Sequence, residues 1–427
     1  MSDKDGIDCL KLYWYSNEDE NIVDFKFEKD ILDKLRPQSN LKQLEIKGYR
    51  GTIFPDWLGH SSHHNITKVT LAHCRNCRML PPLGQLPSLK HLFISKFSKL
   101  EIVGAEFYGD DVSCLETPFP MLETLWFDSM PCWKEWHSLE LSAFPRLRSL
   151  SIGECPMLRE DLSNHLPSLK SLVKLEIWGC RKLEFKMDGQ QHSLQELSIM
   201  NSCDSVTSFS LLDAFPNLMH VQIRNCEKME SIVVSRSLSC LRYLSIYSCG
   251  SLKSVSMLWM ATPQLEYLGL VNCPEMDLSL VTGDPPCSLR YLEISYSDKL
   301  GSAATLMNSQ FHGLAHLTIH GNGKCESVKS FPKEGWLPAS LESLALVNIE
   351  SMETLESKGL AHLTSLQLLY IYYCLQLENI DGEKLPASLK RLLIENCRLK
   401  DPQVWPKISH TRDIEVLITD QFPNPTT

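Results

Sequence analysis

Leu241, Leu244, Ile246, Cys249 and Leu252 spell the frame LxxLxIxxCxxL. The same frame is filled by Leu147, Leu150, Ile152, Cys155 and Leu158, by Leu172, Leu175, Ile177, Cys180 and Leu183, and by Leu366, Leu369, Ile371, Cys374 and Leu377. With the second hydrophobe as marker, sixteen units follow: Leu10, Leu44, Val69, Leu92, Leu125, Leu150, Leu175, Leu197, Val221, Leu244, Leu268, Leu292, Leu317, Leu344, Leu369 and Leu392. Most intervals are 22 to 27 residues; the exceptions are 34 from Leu10 to Leu44 and 33 from Leu92 to Leu125. A chain written this way buries its apolar residues by stacking each unit on the next. A period in the twenties with LxxLxL is the signature of a leucine-rich repeat.

The geometry of one unit follows from its spacing. Two hydrophobes two residues apart point inward from a strand, and the residue between them faces out. Stacked about 4.8 Å apart, such strands form one parallel sheet. The expected fold is an α/β repeat solenoid: a leucine-rich-repeat horseshoe with a concave parallel β-sheet and an irregular, mostly loop convex side. The array is expected over residues 1–400, with a C-terminal cap and tail over 401–427. Cys74, Cys155, Cys180, Cys226, Cys249, Cys273, Cys374 and Cys397 all lie five residues after a marker. A small side chain that tolerates burial and carries a weak donor suits the turn expected there. Pro87, Pro120, Pro145, Pro216 and Pro263 lie two residues before the first hydrophobe of a unit, where an extended conformation would feed the strand. One helix is predicted in "EKDILDKLRP", with Asp30 as its cap, Ile31, Leu32 and Leu35 on one face, and Pro37 ending it.

Composition narrows the function classes. Hydrophobic residues make up 43% and charged residues 22% of the 427, enough for a continuous core. A net charge of -10 argues against a general nucleic-acid surface, because phosphate binding rests on Lys and Arg. The N-terminal "MSDKDGIDCLKLYWYS" lacks a basic segment leading into an apolar run, and no run of about 18 apolar residues occurs, so neither a secretory signal nor a membrane span is expected. The 16 cysteines follow the repeat and not a pairing scheme, which points to a reduced, cytoplasmic setting. One acceptor sequon, Asn65-Ile66-Thr67, is no more than chance supplies.

Candidate chemistry is thin. His60, His63, His64, His73, Cys74 and Cys77 gather in "GHSSHHNITKVTLAHCRNC", but Cys74 is explained by the repeat and a second CxxC is missing, so no metal site is assigned. Cys226, Cys249 and Cys273 should stand about 5 Å apart in consecutive units, within reach of a disulfide but with parallel side chains. "GNGKCES" at 321–327 lacks the first glycine of a phosphate loop, where Thr318 stands, and has Cys325 where Ser or Thr would hold magnesium. No GxSxG or HExxH occurs. Neither an enzyme nor a cofactor is predicted.

What remains is surface. The positions one before, one after and three after each marker should be exposed on the sheet. They hold Trp126, Trp178, Arg224, Tyr243, Tyr247, Tyr267, Tyr291, His316, His320, Tyr370 and Tyr372. Tyr, Trp and Arg are the usual anchors of protein interfaces, so these residues are predicted to bind a protein partner. Tyr243, Tyr267 and Tyr291, in the same place in consecutive units, should form a row at its centre.

Four stretches carry a family resemblance: "GTIFPDWLG" (51–59), "LPPLGQLPSLKHLFI" (80–94), "VGAEFYGDD" (103–111) and "FPMLETLWFDSMPCWKEW" (119–136). They closely resemble the repeat region of plant nucleotide-binding leucine-rich-repeat (NLR) disease-resistance proteins of the coiled-coil class, as does the closing "WPKISHTRDIEVLITD". The resemblance implies the repeat domain of an intracellular immune receptor, which recognises a pathogen effector or a guarded host protein and helps hold a nucleotide-binding module inactive. That module, absent from this chain, is a second expected partner. Ile7, Leu10 and Leu12 already read as a repeat, so the expectation is a fragment or a truncated product, with no nucleotide switching of its own. A stand-alone substrate adaptor or scaffold is the alternative, although no F-box is visible. A cell-surface ectodomain would show the LxGxIP repeat, which is absent.

Overall fold

The computed structural model describes residues 7–15, 25–109, 117–137, 143–184, 190–204, 206–209, 211–256, 258–276, 284–295, 311–321, 328–399, 401–408 and 414–419. Every marker hydrophobe sits second in a five-residue strand, and from Leu44 to Ile394 both hydrophobes of each strand are buried. The chain divides into two compact units, residues 1–207 with 211–218 and residues 208–210 with 219–427. In the first, the strands Cys9–Tyr13, Gln43–Lys47, Lys68–Ala72, His91–Ser95, Thr124–Asp128, Ser149–Gly153, Lys174–Trp178 and Glu196–Met200 pair in sequence order, all parallel, marker opposite marker. In the second, His220–Arg224, Tyr243–Tyr247, Tyr267–Val271, Tyr291–Ser295, His316–His320, Ser343–Val347, Leu368–Tyr372, Arg391–Glu395 and Glu415–Thr419 do the same. The last of these strands, with the helix Asp401–Ile408, lies in the stretch read as cap and tail.

Register is held by the turn that ends each strand. The residue four after the marker has a left-handed φ in Gly48, His73, Lys96, Ser129, Glu154, Gly179, Asn201, Asn225, Ser248, Asn272, Asn348, Tyr373 and Asn396. Asn and Gly dominate because they bear this conformation with least strain. The turned N–H carries the ladder one step beyond the strand: Glu154 donates to the Trp178 carbonyl at 2.8 Å, and Ser248 to Val271 at 2.8 Å. The cysteine next in line then caps the end of its own strand. The thiols of Cys155, Cys180, Cys249 and Cys273 lie 3.0, 3.4, 3.6 and 3.5 Å from the carbonyl two residues back. Cys74, Cys155, Cys180, Cys249, Cys273 and Cys374 are all free thiols.

Two local expectations change. The five prolines are not extended. Each is the second residue of a hydrogen-bonded turn that closes on the first hydrophobe, as in Leu89 to Leu86 around Pro87 and Leu265 to Thr262 around Pro263. Proline's fixed φ and missing N–H suit that turn position as well as they suit an extended one. The helix spans Phe25–Lys34, so Asp30 lies inside it and does not cap it; Leu32 is buried while Leu35 falls beyond the helix and is exposed.

Away from the sheet the chain is mostly loop. Short parallel pairs appear there, Ile102–Val103 with Glu135–Trp136 in the first unit and Ser231–Val233 with Ser254–Ser256 in the second, along with single 3-10 turns such as Ala105–Phe107. The long fourth interval, Leu92 to Leu125, folds its extra residues into an aromatic core. Phe107 packs on Phe119 with centroids at 4.8 Å, and Phe119 stacks on Phe144 at 5.0 Å. The Tyr108 hydroxyl donates to the His137 carbonyl and accepts from the Trp136 indole, each at 2.9 Å. Among the described residues, no helix is long and apolar enough to cross a membrane.

Cys249 has no exposed surface and supplies a donor at a buried strand end. Cys249→Asn, which keeps a donor, should therefore be more stable than Cys249→Leu, which overfills the turn and orphans the carbonyl, by about 1–3 kcal/mol in urea denaturation.

Candidate interaction surface on the sheet face

Strand stacking puts equivalent residues in rows, and the face each row presents depends on its smallest member. In the first unit Trp126, Ser151 and Glu176 form one row, and Asp128, Gly153 and Trp178 the next. Gly153 leaves a gap into which the Trp178 indole folds: a Cβ built on Gly153 would stand 1.9 Å from Trp178 Cε2. From there Trp178 meets Trp126 edge-on at 5.3 Å, and Trp126 continues to Phe93 at 6.3 Å, with Lys68 Nζ 5.2 Å above the Phe93 ring. Ser151, expected to be exposed, is buried and donates to Glu176 at 3.0 Å.

In the second unit the row Ser245, Gly269, Glu293, Thr318 has its gap at Gly269. Tyr267 and Tyr247 close over it, their ring atoms 3.0–3.2 Å from where a Cβ would be. Both hydroxyls donate to the Glu293 carboxylate, their oxygens 3.1 Å apart, and His320 Nε2 lies 2.6 Å from its other oxygen. Burial alone would raise the Glu293 pKa, but the bonds from His320, Tyr247 and Tyr267 outweigh it and hold the carboxyl at about 2. Burial, with donation to that carboxylate, pushes both phenols up. Ser245, also expected outside, is wholly buried next to this cluster and its hydroxyl has no partner.

The predicted row exists, but as pairs of stacked rings. Tyr243 stacks on Tyr267 at 4.3 Å and 9°, and Tyr291 on His316 at 4.3 Å and 7°. Of the three tyrosines only Tyr291 is exposed, at 46%; Tyr243 and Tyr267 are half-buried by their neighbours. Arg224 lies with its guanidinium carbon 5.0 Å from the Tyr247 ring centre. Further along, Tyr370 stacks on Tyr372 at 5.7 Å, in register with two residues that sequence reasoning passed over, Leu393 and Leu417. Leu417 is 46% exposed. Glu293 was likewise missed, because a lone Glu between two strand hydrophobes looks like ordinary solvated charge; the signal was a glycine opposite it and tyrosines on both sides.

The histidine and cysteine cluster is structural in its contacts. Cys77 donates to the Gly51 carbonyl at 3.2 Å, Cys74 to Ala72, and buried His63 packs edge-on to Trp57 at 5.9 Å. The phosphate-loop-like stretch lies outside the described residues apart from Gly321.

Stacked parallel strands bearing LxxLxL in register, with a loop-built reverse side, define a leucine-rich-repeat protein. The chain is similar to the leucine-rich-repeat regions of plant disease-resistance proteins. Residues 1–97 match the family described as R13L1/DRL21 LRRs, and residues 121–274 the leucine-rich repeats of plant disease resistance protein RPS2-like. The chain is 38% identical over 259 residues to disease resistance RPP13-like protein 1 of Arabidopsis thaliana, covering 58% of this chain and 24% of that protein. It is 34% identical over 178 residues to disease resistance protein RGA2 of Solanum bulbocastanum, covering 40% and 18%. The chain thus corresponds to a quarter or less of these relatives' length. Among solved structures, a leucine-rich-repeat protein of Leptospira interrogans aligns over 95% of this chain and all of its own, with 16% identity and a TM-score of 0.44.

Removing the carboxylate strands three donors, so Glu293→Ala should destabilise the fold by about 1–3 kcal/mol. The pH dependence has a definite sign: a carboxyl held at about 2 against an ordinary 4.5 stabilises fully above pH 4.5, and the contribution is lost as pH falls through 2. Denaturation series between pH 5 and 2 should show a shallower loss of stability in Glu293→Gln than in the unaltered chain.

Proposed function

We propose that this chain is the effector-sensing repeat domain of a plant immune receptor, acting in the cytoplasm by binding a pathogen effector or a guarded host protein on the sheet face. The observation that carries this reading is the concentration of half-buried aromatic residues on that face in a family of disease-resistance proteins. Rings held by stacking lose little side-chain freedom on binding, and their polar tips accept varied partners. The buried thiols of Cys74, Cys155, Cys180, Cys249, Cys273 and Cys374, none in a disulfide, agree with a reducing compartment. Restraint of an upstream nucleotide-binding module is a second role proposed for the same repeats, and the work assigned to the domain is recognition, not catalysis.

The test is a binding screen of secreted pathogen proteins against the chain and against a variant carrying Tyr291→Ala and Tyr370→Ala. Tyr291 is the most exposed ring of its row, so the pair should cost no more than about 1 kcal/mol in stability. At least one captured protein should bind the variant ten times more weakly. An unchanged set of affinities would move recognition to another surface.

A further inference from the structure

Glu293 is a half-buried carboxylate whose ion-pair partner among the described residues is the equally half-buried His320. Its neighbours on the face are Tyr291 two residues before it, Ser295 two after, Gly269 and Thr318 beside it in the row, and the Tyr247, Tyr267 and His320 side chains that bond to it. The two phenols are neutral donors, so they satisfy the carboxylate without cancelling its charge. About a fifth of the Glu293 side chain, and a similar share of His320, still reaches solvent. A carboxylate that still reaches solvent beside an exposed aromatic ring is an arrangement that favours a cation: the carboxylate supplies the charge, and the ring offers its negative face. One edge of the cluster already shows this chemistry, since the Arg224 guanidinium lies over the outer ring, Tyr247. On the opposite edge, Tyr291 is the exposed ring. The net charge of -10 would also draw a basic partner inward.

We infer that the aromatic-fenced carboxylate of Glu293 is the specificity point of the sheet face, and that it takes an arginine or lysine side chain from a basic segment of the partner protein. The inference rests on the recognition reading above and adds the chemistry of what is recognised. The cation enters from the Tyr291 side, pairs with the Glu293 oxygen that His320 also contacts, and lays its stem along the Tyr291 ring. The apolar strip of Tyr370, Leu393 and Leu417 would favour a different partner, one led by an apolar segment, and the experiment separates the two.

A phage library of random twelve-residue peptides is selected on the whole chain and counter-selected on Glu293→Gln. Peptides that bind the chain and lose tenfold or more on the variant should carry Arg or Lys in nearly every sequence. A representative peptide, resynthesised with citrulline for each Arg or norleucine for each Lys, should bind the unaltered chain at least tenfold more weakly. That comparison needs no variant and holds even if Glu293→Gln folds poorly. Peptides with an acidic or apolar consensus that still depend on Tyr291 would overturn the basic partner and leave recognition on this face intact. Indifference to both citrulline and Glu293→Gln would also overturn it. If no selected peptide loses affinity on Tyr291→Ala or Tyr370→Ala, this inference and the broader reading fall together.

Discussion

Every unit of this protein depends on the strand ladder being carried one residue past the strand. A parallel sheet built from five-residue strands would leave its strand ends with unmet carbonyls and amides at every repeat. The left-handed residue four past the marker turns its N–H onto the neighbouring strand, and where Cys or Ser follows, its side chain covers the carbonyl behind it. With those two contacts in place, the side of the molecule away from the sheet is free to be irregular. That freedom shows in the 33-residue unit, whose surplus becomes an aromatic core without disturbing the register of Thr124–Asp128 against His91–Ser95.

The strands, their register and the role of cysteine were legible because each depends on near neighbours in sequence. Leu244 and Ile246 point inward whatever surrounds them, and Cys249 needs only the carbonyl of Tyr247. The left-handed position was legible too, in the Asn residues 201, 225, 272, 348 and 396, and went unread because the eye follows hydrophobes. The surface was harder. Whether Ser245 faces solvent depends on the tyrosines around it, and whether those tyrosines stand up or lie down depends on a glycine one strand away. A single repeat contains none of that information.

The motifs that identify the family serve packing more than binding. Phe107, Tyr108, Phe119, Trp133 and Trp136 are all buried, and they hold one another on the side away from the sheet. A core that pins down so many rings tolerates little change, which suits a family label. The sheet face is held less tightly, by rings stacked in pairs and half-exposed, and resemblance to the family therefore says little about which partner it meets.

The glycines of the sheet face give that freedom a particular form. At Gly153 the surface relief is set by what is missing: one hydrogen in place of a methyl lets the Trp178 ring from the next strand lie flat. A single base change at that codon would lift the Trp178 ring off the sheet and turn a floor into a ridge, with both inward hydrophobes of the strand untouched. A lineage can thus recut the contour it presents to a partner in one step, leaving the scaffold it has inherited as it was.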